Sequence, residues 1–270
     1  MRAQLVGISA AFTGPRYYND CLGPLWFEPF AADLVQRLPE QPAGDVLEIA
    51  CGTGIVTRRL RERLGRSVRL VATDVSTVML DYARAKLEAR RDIEWREADA
   101  AKLPFDDAAF VALVCGFGFM FMPDRQAALR EARRVLSEGG ILLFNVWDRI
   151  EENPHAFANA QVLEARFPGD PEMKFSTPYD MGDPVLLREL LAGARLRATR
   201  IETKRIRVAG ADPRSIATGL IRGTPRATLI EQRGGSLEAV IDNVTEALTR
   251  KGGDPYSGQA QAVIVEAIAI

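Results

Sequence analysis

Three cysteines, Cys21, Cys51 and Cys115, are scattered along the chain without paired spacing, and their scarcity excludes both a disulfide framework and a zinc site. No metal is expected. Histidine is scarcer still, with His155 alone. Neither sign of charge prevails: 35 Lys and Arg against 36 Asp and Glu leave a net charge of −1. Such a balance gives no electrostatic reason to bind nucleic acid. The basic run Arg58, Arg59, Arg61, Arg63 and Arg66 reads as the solvated face of a helix. No stretch approaches the ~20 apolar residues of a membrane span, and no charged-then-apolar leader opens the sequence. No membrane partner and a cytoplasmic location are therefore expected. Repeats and low-complexity tracts are missing too. What remains is 47% apolar and 26% charged, the composition of an ordinary folded core. At 270 residues, one large α/β domain, with or without an insertion, fits better than two small ones.

The rest of the chain is organised around residues 45–57, Asp-Val-Leu-Glu-Ile-Ala-Cys-Gly-Thr-Gly-Ile-Val-Thr. The apolar run reads as a buried parallel strand, covered on both faces. Ala50, Gly52 and Gly54 follow at alternate positions, and then a helical pattern from Arg58 to Leu64. Small residues at that spacing let the backbone turn sharply and come close to a ligand, while the helix aims its free N–H groups at the same spot. A plain strand–turn–helix connection would also explain the glycines. Two acidic residues favour a binding site. Glu48 lies inside the apolar strand, where an unpaired carboxylate is costly and calls for a cation or several donors. Asp74 ends the next strand, about 20 residues beyond the glycines, the spacing at which a carboxylate receives ribose hydroxyls. A nucleoside-bearing ligand could thus touch both turns, with Val75 and Met79 flanking its base.

The dinucleotide fingerprint needs a third glycine where this chain has Thr57. The pattern Glu48-x-Ala50-x-Gly52-x-Gly54 instead resembles motif I of the class I S-adenosylmethionine (SAM)-dependent methyltransferases, acidic-x-Gly-x-Gly-x-Gly, with Ala50 in the first glycine place. That replacement is tolerated if the backbone there keeps a negative φ. Phe105-Asp-Asp-Ala-Ala-Phe110 and the run from Ala128 to Gly140 are similar to later motifs of the methyltransferase type 11 group, which includes ubiquinone/menaquinone C-methyltransferase-like proteins. The resemblance covers residues 41–147 well and the flanks loosely. It implies SAM as cofactor, held by Glu48, Ala50, Cys51, Gly52, Gly54, Asp74, Val75, Met79, Cys115 and Gly116. It also implies that Asp99 accepts the adenine amine beside the Ala100 N–H. Tyr17-Tyr18 looks like the tyrosine segment that precedes many small-molecule methyltransferase domains, and Tyr18 joins the cofactor-binding set.

The expected strands are 68–74, 93–99, 111–115, 141–147, 196–208 and 261–270, after the one that ends on Glu48. Helices are expected at 29–38, 77–90, 124–136 and 183–194, with Glu138-Gly139-Gly140 stopping the third. The fold class is α/β: a doubly wound, mostly parallel seven-stranded sheet, Rossmann-like, with a helical lid insertion. Residues 1–40, rich in aromatics from Phe12 to Phe30, form an N-terminal cap. Residues 41–208 and 260–270 form the SAM-binding domain, and 209–259 the lid. Residues 148–182 read as irregular, with His155 in a surface turn.

The apolar loop after the fourth strand makes sense if it lines a pocket, so Phe117, Phe119 and Phe121 are the substrate-binding candidates. No Asn-Pro-Pro-Tyr-like motif stands there, which favours a small apolar acceptor. No catalytic residue is assigned, since methyl transfer mainly requires positioning. A nicotinamide-dependent oxidoreductase is the weaker alternative, disfavoured by Thr57 and by the lack of a Tyr-x-x-x-Lys pair. A SAM-binding protein without catalysis is the other. Partners are otherwise limited to the small-molecule substrate, and the chain is expected as a monomer or homodimer.

Overall fold

The computed structural model describes residues 14–90, 92–174 and 177–270. Phe12, part of the expected cap, lies outside the described residues. The first half runs through α1 (Gly14–Tyr17), a wider helical stretch Tyr18–Phe27, α2 (Glu28–Gln36), β1 (Val46–Glu48), α3 (Ile55–Arg63), β2 (Leu70–Asp74), α4 (Thr77–Lys86), β3 (Ile93–Glu97), β4 (Phe110–Gly116), α5 (Arg125–Val135) and β5 (Leu136–Trp147). The second half contains α6 (Pro154–Arg166), α7 (Pro184–Ala192), β6 (Leu196–Ala211), α8 (Pro213–Arg222), α9 (Arg226–Gln232), α10 (Leu237–Gly252) and β7 (Tyr256–Ala269). The described residues form two compact units, one drawn from 28–153, 177–206 and 261–270 and the other from 14–27, 154–174 and 207–260.

The first unit is built on the seven-stranded sheet, in the order β3-β2-β1-β4-β5-β7-β6. Strands β1 to β5 pair in parallel and β7 runs antiparallel to β5. Every residue of β1 and β2 is buried, which explains why both read as short, mainly apolar runs in which Glu48 and Asp74 stand out. The strand order reverses between β1 and β4, and in open α/β sheets ligands bind outside the C-terminal strand ends at such a point. The helices start where side chains can cap them. Ser76 accepts from the Met79 N–H at 3.4 Å, and Asp124 from the Ala127 N–H at 2.8 Å. Buried Ala128, Leu129, Ala132 and Val135 face α5 into the core. Strand β5 begins at Leu136, earlier than the glycines implied, because Gly139 at φ +72° bends the chain within the strand instead of ending the helix.

Arg61 corrects the reading of the basic run. It is 4% exposed, and its guanidinium donates to the carbonyls of Val68, Leu64 and Gly65 at 3.0, 3.0 and 2.7 Å. Asp92 adds an ion pair at 3.3 Å and a backbone carbonyl that accepts from Arg61 at 3.4 Å. One side chain thus serves the carbonyls at the end of α3 and fastens that helix to the approach of β2.

In the second unit, α8 packs against α10 and the Tyr18–Phe27 stretch, and α10 packs on α6. A Cβ on Gly219 would stand 2.5 Å from Leu22 Cδ2, so α8 and that stretch approach at a distance only glycine permits. The 209–259 segment, expected to be helical, carries α8, α9 and α10. Helix α6 corrects the irregular reading of 148–182. Its buried face is His155, Ala156, Ala158, Asn159 and Leu163, and two polar residues on that face break the apolar periodicity that would reveal a helix.

Replacing Arg61 by Ala removes the side-chain donor to the carbonyls of Leu64, Gly65 and Val68, of which Gly65 keeps the Val68 N–H. We expect a loss of about 2–4 kcal/mol in urea unfolding. A loss below about 0.5 kcal/mol would show that these carbonyls find other partners.

Candidate functional site

The turn after β1 carries left-handed backbone at alternate residues, with φ +52° at Ala50, +54° at Gly52 and +79° at Gly54. Ala50 therefore corrects the expectation of negative φ in the first glycine place: alanine takes up the strain here. The two glycines serve different ends. A Cβ on Gly54 would press on Ala83 and Leu87 at 3.1 and 3.2 Å, so that glycine lets α3 and α4 close up. A Cβ on Gly52 would meet nothing within 4 Å, so the turn presents bare backbone to open space. Helix α3 begins immediately afterwards at Gly54, with no side-chain cap on its first N–H groups.

Asp74 joins this turn to the next one. Its Oδ2 accepts the Gly52 N–H at 2.8 Å and its Oδ1 the Ser76 N–H at 2.9 Å. Burial raises its pKa, while the N–H groups of Ser76, Gly52 and Val75 hold it down. Each oxygen keeps a lone pair for a further donor.

Glu48 lies 1% exposed in β1. Burial raises its pKa to about 8, with Asp74 adding to the rise and Thr57 opposing it. Thr57 is thus the group that faces the carboxyl, although Glu48 Oε2 and Thr57 Oγ1 complete no hydrogen bond of normal geometry among the described residues. The threonine in the third-glycine place therefore has a positive role, sitting in the first turn of α3 beside the buried acid. Cys51 and Cys115 are buried, and burial raises both thiols, Cys115 to about 12. They remain protonated and inert.

The other expected residues fall as follows. Gly116 ends β4, and a Cβ there would lie 2.8 Å from Val56 of α3. Val75 is 50% exposed beside Asp74, and Met79 is half-buried in the first turn of α4. Asp99 stands past the end of β3 in an exposed turn, accepting the Ala101 N–H at 2.9 Å, with Ala100 between them. Phe117 and Phe119 turn inward, stacked on Trp147 at 4.2 Å and edge-on to Phe144 at 4.9 Å. Only Phe121, at 53%, is exposed, which corrects the picture of a loop offering all three rings to a pocket. Tyr18 belongs to the other unit, where it stacks on Phe27 at 4.5 Å. His155 is 1% exposed within α6, not in a surface turn, and burial lowers its pKa to about 3.

Sequence reasoning missed Asn145 and Gly118. Asn145, buried in β5, accepts the Phe117 N–H on Oδ1 at 2.9 Å and fixes the loop after β4. A Cβ on Gly118 would lie 2.6 Å from those of Ala50 and from Cys115 Sγ, so this loop tucks against the glycine turn. The signal that singles out Glu48, a polar side chain inside an apolar strand, also applies to Asn145. A separate cavity of about 480 Å³ is lined by Asp107, Arg130, Arg134, Leu136 and Arg195. It lies at the N-terminal starts of β4, β5 and β6, the opposite end of the sheet from the glycine turn.

The sheet order and the paired turns are those of a Rossmann-like α/β fold. Residues 46–140 match the family model described as a methyltransferase domain. The demethylmenaquinone methyltransferase of Lactococcus lactis is 36% identical over 111 residues, 40% of this chain and 44% of that protein. The demethylmenaquinone methyltransferase of Thermus thermophilus is 40% identical over 136 residues, 48% of this chain and 60% of that one. The chain thus spans about half the length of the curated relatives it matches. A solved phosphoethanolamine N-methyltransferase of Haemonchus contortus shares the fold at a TM-score of 0.60 and 15% identity, over 96% of this chain and 57% of that one.

Glu48 makes stability depend on pH. Its folded pKa of about 8 exceeds its ordinary 4.5, so the folded form keeps a proton that the unfolded chain releases between those values. That contribution is complete below pH 4.5 and is lost as pH rises through about 8. Asp74 shifts in the same direction, so the comparison must isolate Glu48. We expect Glu48→Gln to gain on the wild type steadily from pH 5 to pH 8 in urea titrations, by a few kcal/mol at most. A constant difference across that range would place the proton elsewhere.

Proposed function

We propose that the chain is a SAM-dependent methyltransferase acting on a small apolar or aromatic molecule. The observation that carries this reading is the Gly52–Asp74 pairing. A left-handed glycine facing open space is held by the carboxylate that ends the next strand. The residues present fit the cofactor: bare backbone at Gly52, an uncapped helix start at α3, and a buried acid with an unpartnered oxygen at Glu48. SAM, when bound, supplies a methyl group on a cationic sulfonium. Asp74 offers its spare lone pairs to ribose hydroxyls, and exposed Val75 offers apolar surface to the base, with Met79 beside it. Asp99 and Ala100 serve the adenine amine. Glu48 faces the cationic end, and the first N–H groups of α3 the carboxylate.

The chain's task in a displacement is to position the acceptor and exclude water. No general base is assigned, since burial lowers the pKa of His155 to about 3 and makes it a poor proton acceptor, and the thiols of Cys51 and Cys115 stay protonated. Phe121 is the apolar side chain offered to the acceptor. The relatives named as demethylmenaquinone methyltransferases make ring-bearing quinone-like acceptors the first class to test. No described helix is long and apolar enough to cross a membrane, and the proposed location is the cytoplasm.

S-Adenosylhomocysteine should raise the melting temperature and NAD should not. Ligand at 100 times its dissociation constant adds about 2.7 kcal/mol to the folded form. Stabilisation by NAD alone would overturn the reading. Asp74→Asn removes charge-assisted hydrogen bonds of roughly 1.5–3 kcal/mol. SAM affinity should fall on the order of tenfold or more while circular dichroism shows an intact fold. Unchanged affinity in a folded variant would put the nucleoside elsewhere.

A further inference from the structure

The cavity of about 480 Å³ at the N-terminal starts of β4, β5 and β6 has no part in the proposed methyl transfer. Four arginines line it: Arg130, Arg133 and Arg134 from α5, and Arg195 from the turn between α7 and β6. Both carboxylates of the lining are already taken. Arg134 holds Asp107 at 2.8 Å and, outside the lining, both oxygens of Glu131 at 2.8 Å. Arg133 holds Glu138 at 2.8 Å and donates to the carbonyls of Ile270 and Leu136 at 3.0 and 3.2 Å. Two guanidinium groups remain, Arg130 and Arg195, both exposed and neither in an ion pair among the described residues.

Water satisfies an exposed arginine, but the placement of these two costs stability. Arg130 stands three and four residues before Arg133 and Arg134, so three like charges crowd one face of α5. Arg195 holds left-handed backbone at φ +57°, a conformation that glycine adopts without a steric penalty. Ala108, in the same lining, is left-handed too, at φ +55°. The surface between the arginines is apolar, from Leu136, Ala108 and Ala194. We propose that this cavity is a second binding site, for a phosphomonoester carried on a small apolar or aromatic body. Guanidinium forks from two separate elements match the oxygens of a tetrahedral dianion, whereas a carboxylate is planar and carries one charge. Arg133 and Arg134, locked by their own carboxylates and carbonyls, form fixed walls. Leu136 and Ala194 take the apolar body, and the volume suits a small molecule. The site lies within the first unit, at the opposite end of the sheet from Gly52, and is independent of the cofactor reading.

Phenyl phosphate and phenyl sulfate are the probes, alike in shape, the first about doubly charged at pH 8 and the second singly. In isothermal calorimetry at constant ionic strength, phenyl phosphate should bind saturably and phenyl sulfate roughly tenfold or more weakly. Arg130→Gln and Arg195→Gln should each weaken phenyl phosphate by about tenfold at unchanged melting temperature, since neither side chain holds the unit together. Arg197→Gln removes an exposed charge from β6 outside the lining and should leave binding unchanged. Saturating S-adenosylhomocysteine should not displace phenyl phosphate. Absent binding, equal binding of the two probes, or an equal loss in Arg197→Gln would overturn the proposal. So would variants at Arg130 and Arg195 that bind as the wild type does. Displacement by S-adenosylhomocysteine would overturn it too, by placing the phosphate at the start of α3.

Discussion

The Asp74 carboxylate is the point on which the candidate site depends. Its two oxygens hold the N–H of Gly52 in one turn and of Ser76 in the next. Two neighbouring parallel strands end in turns that would otherwise be free to move apart. A carboxylate that accepts backbone N–H groups at both ends fixes their spacing before any ligand arrives. The same group is positioned to receive hydroxyls, so organising the site and reading the ligand fall to one residue. This costs something: Asp74 is 8% exposed, and its burial is offset by the N–H groups it gathers.

Around this link the first unit places polar groups where apolar ones would be more stable. Glu48 sits in a fully buried strand beside the first turn of α3, and Asn145 sits in β5 with Nδ2 unpartnered. Arg61 acts from the far end of the same helix, where it serves the last carbonyls and fastens α3 to the sheet. The helix start facing Gly52 is thereby held from behind. Polar groups kept in a core without full satisfaction are commonly a mark of function, and here they gather at the C-terminal strand ends.

Much of the first unit was legible because its signals are local. Short apolar runs gave the parallel strands, Asp124 and Asp183 stand at the starts of expected helices, and the spacing from the glycines to Asp74 brought two strand ends together. What escaped depends on contacts between distant residues. The φ of Ala50 follows from how the turn closes against Gly118, which no residue type near Ala50 announces. Arg61 looked solvated as one of a run of arginines on a single helix, yet it turns inward to carbonyls of residues 64–68. Helix α6 was hidden by His155 and Asn159, polar residues on a buried face. The bond from Asp74 to Gly52 could not be read either, since spacing tells which residues can meet and not which lone pair is used.

A shared fold does not settle the chemistry, because function resides in the site. The central claim is therefore geometric: a nucleoside lies across the Gly52 and Asp74 turns. A crystal structure with S-adenosylhomocysteine tests it most directly. The expected result is both ribose hydroxyls within hydrogen-bond distance of Asp74, the amino-acid end over Gly52 at the start of α3, and the adenine against Val75. A ligand seated elsewhere on the sheet, with Asp74 still bonded only to backbone, would contradict the account.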